Sequence, residues 1–115
     1  MMLIHDGNAI TSWRKANAIH KWFVNNVQDG VDDCGQYKVT KEQLIELRNV
    51  CDDVLTNNHL AEHLLPTQGG FFFGSVEYDD GYYYDLRETK STIDYILEYK
   101  SYVFEDDGLY YCSSW

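Results

Sequence analysis

Thr40-Lys-Glu-Gln-Leu-Ile-Glu-Leu-Arg-Asn-Val-Cys-Asp-Asp-Val-Leu55 decides the fold class. Its first four residues have the form S/T-x-x-E/Q, in which a hydroxyl and an amide side chain reciprocally satisfy backbone N–H groups left free at a helix start. Leu44, Leu47, Cys51, Val54 and Leu55 follow at helical spacing, so an amphipathic helix starts at this box and turns one apolar face to a core. Such a face needs partners, and the chain supplies one on each side. Ala9, Trp13, Ala16, His20, Phe23, Val24 and Val27 fall within about a third of the circumference at 100° per residue, which predicts a first helix from Asn8 to Gln28. Asp79 or Asp80 can cap a third helix running to about Lys100, with Tyr82, Leu86, Thr89, Ile93, Ile96 and Leu97 on one side.

Between these helices the chain carries short elements. Gln28 to Gly35 is an acidic loop with a glycine turn at each end, and Tyr37-Lys-Val39 reads as a short strand. His59 to Leu65 reads as a helical turn stopped by Pro66. The Phe71 region and the tail add β structure, the tail as a hairpin of Tyr102-Val-Phe-Glu105 and Leu109-Tyr-Tyr-Cys112 about a glycine turn. The expected architecture is α+β and mainly helical: three main helices with a small β element and a C-terminal hairpin, in a single domain spanning residues 1–115. A lone hairpin is marginal in water, so the tail has to pack on the helices or on another copy.

The chain has 115 residues and a formal net charge of −10. Residues 1–28 hold Arg14, Lys15 and Lys21 against Asp6, a net of +2, and residues 29–115 hold six cations against eighteen acids, a net of −12. Such a body repels phosphate, which argues against direct nucleic-acid binding. No run of eighteen apolar residues exists, so no membrane span is expected, and Met1-Met-Leu-Ile-His5 has none of the parts of a secretory signal. Three cysteines, Cys34, Cys51 and Cys112, are an odd count with irregular spacing and fit reduced thiols. The expected location is the cytoplasm.

Chemical motifs are sparse. His59-Leu-Ala-Glu-His63 matches H-x-x-E-H, but its helix is about two turns long and ends at Pro66, and two histidines on a solvated turn are the better reading. His20 and Cys51 lie on apolar faces and read as core, and no phosphate loop, dinucleotide fingerprint or nucleophile elbow is present. The expectation is a protein that is not an enzyme and needs no cofactor or metal. Arg14, Asn17 and Lys21 form a polar stripe beside Trp13, which is the alternative site: a nucleotide-like anion held by cations and stacked on an indole.

Aromatics carry the stronger signal. From Gln68 to Tyr84 there are seven aromatic residues, hinged by Gly69, Gly70, Gly74 and Gly81 and interleaved with Glu77, Asp79 and Asp80. Trp22 on the first helix, and Tyr84, Tyr95 and Tyr99 on the third, fall on the sides away from the predicted core. Tyrosine and tryptophan are favoured interface anchors, so Phe72, Glu77, Tyr78, Asp79, Asp80, Tyr84, Tyr95 and Trp22 are the expected partner-binding residues, and a homodimer is an expected use of the displaced aromatics.

Trp13-Arg-Lys-Ala-Asn-Ala-Ile-His-Lys-Trp-Phe23 and Leu64-Leu-Pro-Thr-Gln-Gly-Gly-Phe-Phe-Phe-Gly-Ser-Val-Glu-Tyr-Asp79, with Asp33-Cys34-Gly35 and Tyr37 between them, resemble a family of small acidic accessory proteins of tailed bacteriophages and prophages. The resemblance spans about residues 13–97 and leaves the tail from Tyr102 outside it. It implies a phage accessory protein that acts in the host cytoplasm by binding a host protein, as an inhibitor or modulator of a defence system (anti-CRISPR, anti-restriction or similar) or of nucleic-acid processing. It implies no catalytic residues.

Overall fold

The computed structural model describes residues 1–13, 16–67, 77–105 and 108–113. It is α+β: strand β1 (Met2–His5), strand β2 (Asn8–Ser12), helix α1 (Asn17–Asn26), strand β3 (Tyr37–Val39), helix α2 (Lys41–Thr56), a short helix α3 (Ala61–Leu64) entered by a 3-10 turn, helix α4 (Asp80–Tyr99), a second 3-10 turn (Ser101–Phe104) and strand β4 (Leu109–Cys112). The strands form one antiparallel sheet in the order β2-β1-β4-β3.

The longest helices form where the sequence places them. Thr40 Oγ accepts from Gln43 N at 3.1 Å while Gln43 Oε1 accepts from Thr40 N at 2.9 Å, so the capping box is complete. Asp79 Oδ1 accepts from Tyr82 N at 3.1 Å and starts α4. α2 and α4 bury complementary stripes, Leu44, Leu47, Cys51 and Val54 on one and Tyr82, Leu86, Thr89, Ile93 and Ile96 on the other. Lys90 pairs with Asp52 at 2.9 Å and Arg48 with Asp94 at 2.9 Å across the outer side of the two helices. Exposed ion pairs of this kind each contribute about 0.2–1 kcal/mol, so apolar burial outweighs them and they serve to fix register.

The first helix is shorter than its periodicity suggests. Residues 8–12 pair with β1 and α1 begins only at Asn17. Asp6 and Gly7 form the two-residue connection between His5 and Asn8, with φ of 51° and 77°. Both values lie in the left-handed region that a tight hairpin turn with the right twist requires, and aspartate followed by glycine suits it. Once that turn closes, Asn8–Ser12 gains a ladder, and the helical spacing of Ala9 and Trp13 is incidental: Ala9 is exposed and Trp13 half-buried.

The tail is the larger surprise. Leu109–Cys112 is a strand, and its described partners are β1 on one side and β3 on the other. Tyr102, Val103 and Phe104 wind into the 3-10 turn, with Val103 fully buried beneath it. The tail strand thus lies in the middle of the sheet. Its inward residues Leu109 and Tyr111 have no solvent exposure, like Leu3 opposite Tyr111 on β1. Deleting residues 109–115 removes a central strand and splits the sheet. The truncated chain is expected to lose its cooperative thermal transition in circular dichroism, and a native-like transition would contradict a central β4.

Candidate interaction surface

Tyr111 enters the core from β4 and stacks on Phe23 of α1, with ring centroids 3.9 Å apart and planes 7° off parallel. Its hydroxyl lies 2.6 Å from His20 Nδ1, and His20 Nε2 lies 3.0 Å from Asp32 Oδ1. A carboxylate only accepts, so the ring carries its proton on Nε2 and Nδ1 accepts from the Tyr111 hydroxyl. Burial holds His20 below its ordinary pKa of 6.5, against the opposing pull of Asp32, and pushes the Tyr111 phenol upward. The imidazole is therefore neutral and structural, as expected of a core histidine. Cys34 is exposed in the loop at φ 61°. Burial raises the Cys51 thiol to about 12.

Trp22, expected on the outside, is buried at 5% exposure with its ring edge-on to Phe23, centroids 5.3 Å apart. α1 is buried from Asn17 to His20 and again from Trp22 to Val24, so neighbours cover it nearly all round and only Asn25 and Asn26 at its end are exposed. Trp22 is a core residue, not an anchor for a partner.

Asn17 is 5% exposed, Lys21 is half-buried and Arg14 lies outside the described residues. The Trp13 indole N–H donates to Thr89 Oγ1 at 2.8 Å, and that hydroxyl donates on to the Asp85 carbonyl at 2.7 Å. Trp13 thereby ties the end of β2 to α4, which helical spacing could not reveal. His59 and His63 are both exposed, one in the 3-10 turn and one in α3.

The acidic and aromatic candidates divide into two groups. Glu77, Asp79 and Tyr84 line one cleft of about 250 Å³, with Tyr82 and Asp85, against the first turn of α1 at residues 16–19. Burial first, and the neighbouring Asp79 carboxylate second, raise the Asp85 pKa. Asp80 is exposed in the first turn of α4. Tyr78 is half-buried, with its hydroxyl accepting from Thr67 N at 3.3 Å and its ring edge-on to Tyr82, so it braces α4. Phe72 lies outside the described residues. The Tyr84 phenol is raised by its hydrogen bond to Glu88.

At the other end of α4, eleven residues and about 16 Å along the axis at 1.5 Å per residue, Tyr95 and Tyr99 are 52% and 66% exposed with centroids 5.3 Å apart. Tyr102, half exposed, joins them from the 3-10 turn. The sequence places Tyr84, Tyr95 and Tyr99 on this side correctly. It misses Tyr102, whose reading as a strand residue hid its closeness to Lys100. Among the described residues no helix is long and apolar enough to cross a membrane. Compared with protein-family models, curated proteins and solved structures, the chain matches none.

Two outcomes test the buried chain. In the native state His20 sheds its proton, whereas below pH 6.5 the unfolded chain binds one; stability therefore falls as the pH drops through 6.5 toward the lower folded value. Unfolding free energies from urea denaturation should decline from neutral pH to pH 5.5 with a slope of at most about 1.4 kcal/mol per unit, and His20→Gln should flatten that decline. Tyr111→Phe keeps the stacked ring but leaves Nδ1 without its donor, an expected loss of about 1–3 kcal/mol in urea denaturation.

Proposed function

We propose that this protein acts by binding, with the outer side of α4 as its docking face and a basic surface of a host protein as its target. The observation that carries this reading is the exposure of Tyr84, Tyr95, Tyr99 and Tyr102 at 50–66% on one helix and the turn that follows it. Exposed tyrosines are not needed for the core, which is filled without them, and they bring large contact area at low entropic cost. Around them lie Glu77, Asp79, Asp80, Glu88 and Glu98 of a chain with net charge −10. Aromatic anchors ringed by acids complement a basic groove, steer its approach and repel phosphate. The homodimer expected from displaced aromatics would use the same face.

The resemblance to phage accessory proteins supports a host target, and the acidic character supports a nucleic-acid-handling or defence protein, whose groove is basic because its substrate is not. In this reading the protein inhibits or modulates by occupying that groove. No covalent step is involved, and the residues act by contact.

Affinity capture of the tagged protein from infected cells, followed by mass spectrometry, should recover one dominant host protein with a basic cleft. Capture should fall at least about tenfold with Asp79→Lys/Asp80→Lys or with Tyr95→Ala/Tyr99→Ala, equivalent to about 1.4 kcal/mol or more. Tyr95 and Tyr99 are exposed, so Tyr95→Ala/Tyr99→Ala should keep the native thermal midpoint to within a few degrees, whereas Asp79→Lys also removes the cap of α4, so Asp80→Lys alone, which leaves the cap in place, serves as its control. Equal recovery by wild type and both variants would contradict the reading.

A further inference from the structure

The tyrosines at the C-terminal end of α4 already hold a cation. Lys100 Nζ lies 5.9 Å from the ring centroids of both Tyr95 and Tyr102. Among the described residues this ammonium makes no ion pair, although the chain has nineteen acids. In so acidic a molecule a lysine that faces rings instead of a carboxylate marks those rings as a cation site.

The site is built before any partner arrives. Tyr95 and Tyr99 are one helical turn apart and their rings meet at 44°. Tyr102 is carried on the 3-10 turn that the buried Val103 pins to the core. The His5 ring stands edge-on to Tyr102, centroids 5.6 Å apart at 74°, and is itself fixed because its Nδ1–H donates to the Gly108 carbonyl at 2.9 Å. Helix end, turn and first strand thus converge on a small open cage.

We infer that this cage is a docking point for an arginine side chain of the protein partner, with Lys100 as the internal cation that holds the site in the free protein and yields to it. The inference rests on the reading of α4 as a docking face. Arginine is favoured over lysine on chemical grounds. A planar guanidinium can lie flat on Tyr95 or Tyr99 and still direct N–H groups at Glu98, which is exposed three residues along the helix from Tyr95. A lysine ammonium is strongly hydrated and would only reproduce what Lys100 already does. The partner segment is therefore arginine-bearing and extended enough to reach the end of a helix, and the net charge of −10 favours its approach.

The test uses two acetylated, amidated repeat peptides of equal length and charge, one of glycine and arginine and one of glycine and lysine, titrated into the full chain at physiological ionic strength. The arginine peptide should bind about two- to fivefold more tightly, the range of one exposed cation–ring contact, and should shift the Tyr95, Tyr99 and Tyr102 ring resonances first. Tyr95→Ala/Tyr99→Ala should abolish the preference between the peptides. Lys100→Gln should strengthen arginine-peptide binding beyond the small gain from Lys41→Gln, which removes the same charge from the exposed start of α2. Equal binding of the two peptides, a preference that survives loss of both tyrosines, or equal effects of the two lysine variants would each overturn the inference. If the peptides are not distinguished while capture of a host protein still depends on Tyr95 and Tyr99, the docking face stands and its arginine specificity falls.

Discussion

The hydrogen-bonded chain from Tyr111 through His20 to Asp32 is the constraint on which the rest of the structure depends. It joins the strand at the end of the chain to the helix near its beginning and to the acidic loop that follows that helix. All three groups are polar, and the imidazole and phenol have no exposure to water. Polar groups in that position are costly unless every one finds a partner, and here each supplies what the next lacks. The directional bond adds what the stacked Phe23 ring cannot: it fixes which way Tyr111 points and hence the register of β4 between β1 and β3.

From that fixed sheet the display of α4 follows. The helix is clamped by the α2 stripe on its inner side, by Trp13 through Thr89, and by Tyr82, whose hydroxyl donates to the Leu65 carbonyl at 2.7 Å. Three anchors on the inner side leave the opposite side free of structural duty, and that side carries Tyr84, Tyr95 and Tyr99. A small protein that holds one helix rigidly can offer preorganised aromatic contacts, which reduces the ordering cost of association. The same rigidity positions Tyr102 and Lys100 at the end of the helix.

How far the sequence was legible follows from the range of the forces involved. The capping box at Thr40, the Asp79 cap and the apolar stripes of α2 and α4 depend on residues within a few positions of one another, and these elements form as read. β3 at Tyr37–Val39 is likewise local. Where the reading fails, the deciding partner is distant. Asn8–Ser12 carries helical spacing as well as strand competence, and only β1 selects between them, although Asp6-Gly7 between two strand-like runs was a local sign of the hairpin. Trp22 looks exposed on a helical wheel because a wheel shows one core-facing side, whereas α1 is covered nearly all round. The strand at Leu109–Cys112 was visible, but pairing across more than one hundred residues to Met2–His5 was not. For the site, exposure of Tyr84 and Tyr95 follows from helical phase alone, while the gathering of Glu77, Asp79, Tyr84 and Asp85 in one cleft and of Lys100 over two rings requires the fold.

In the proposed reading, function belongs to the surface and not to reactive groups. His20, Cys51, Tyr82 and Tyr111, all shifted by burial, are inside and serve packing, and Asp85 in the cleft is raised by burial as well. What faces outward is acid and tyrosine on a rigid helix, and that display relies on the Tyr111 bond being made in the sense described. The most direct measurement is the tautomer of His20, read from the nitrogen shifts and ring-proton couplings in a long-range proton–nitrogen spectrum at neutral pH. The account predicts a neutral ring protonated at Nε2 with Nδ1 as acceptor from Tyr111. A ring protonated at Nδ1, or an imidazolium, would contradict it.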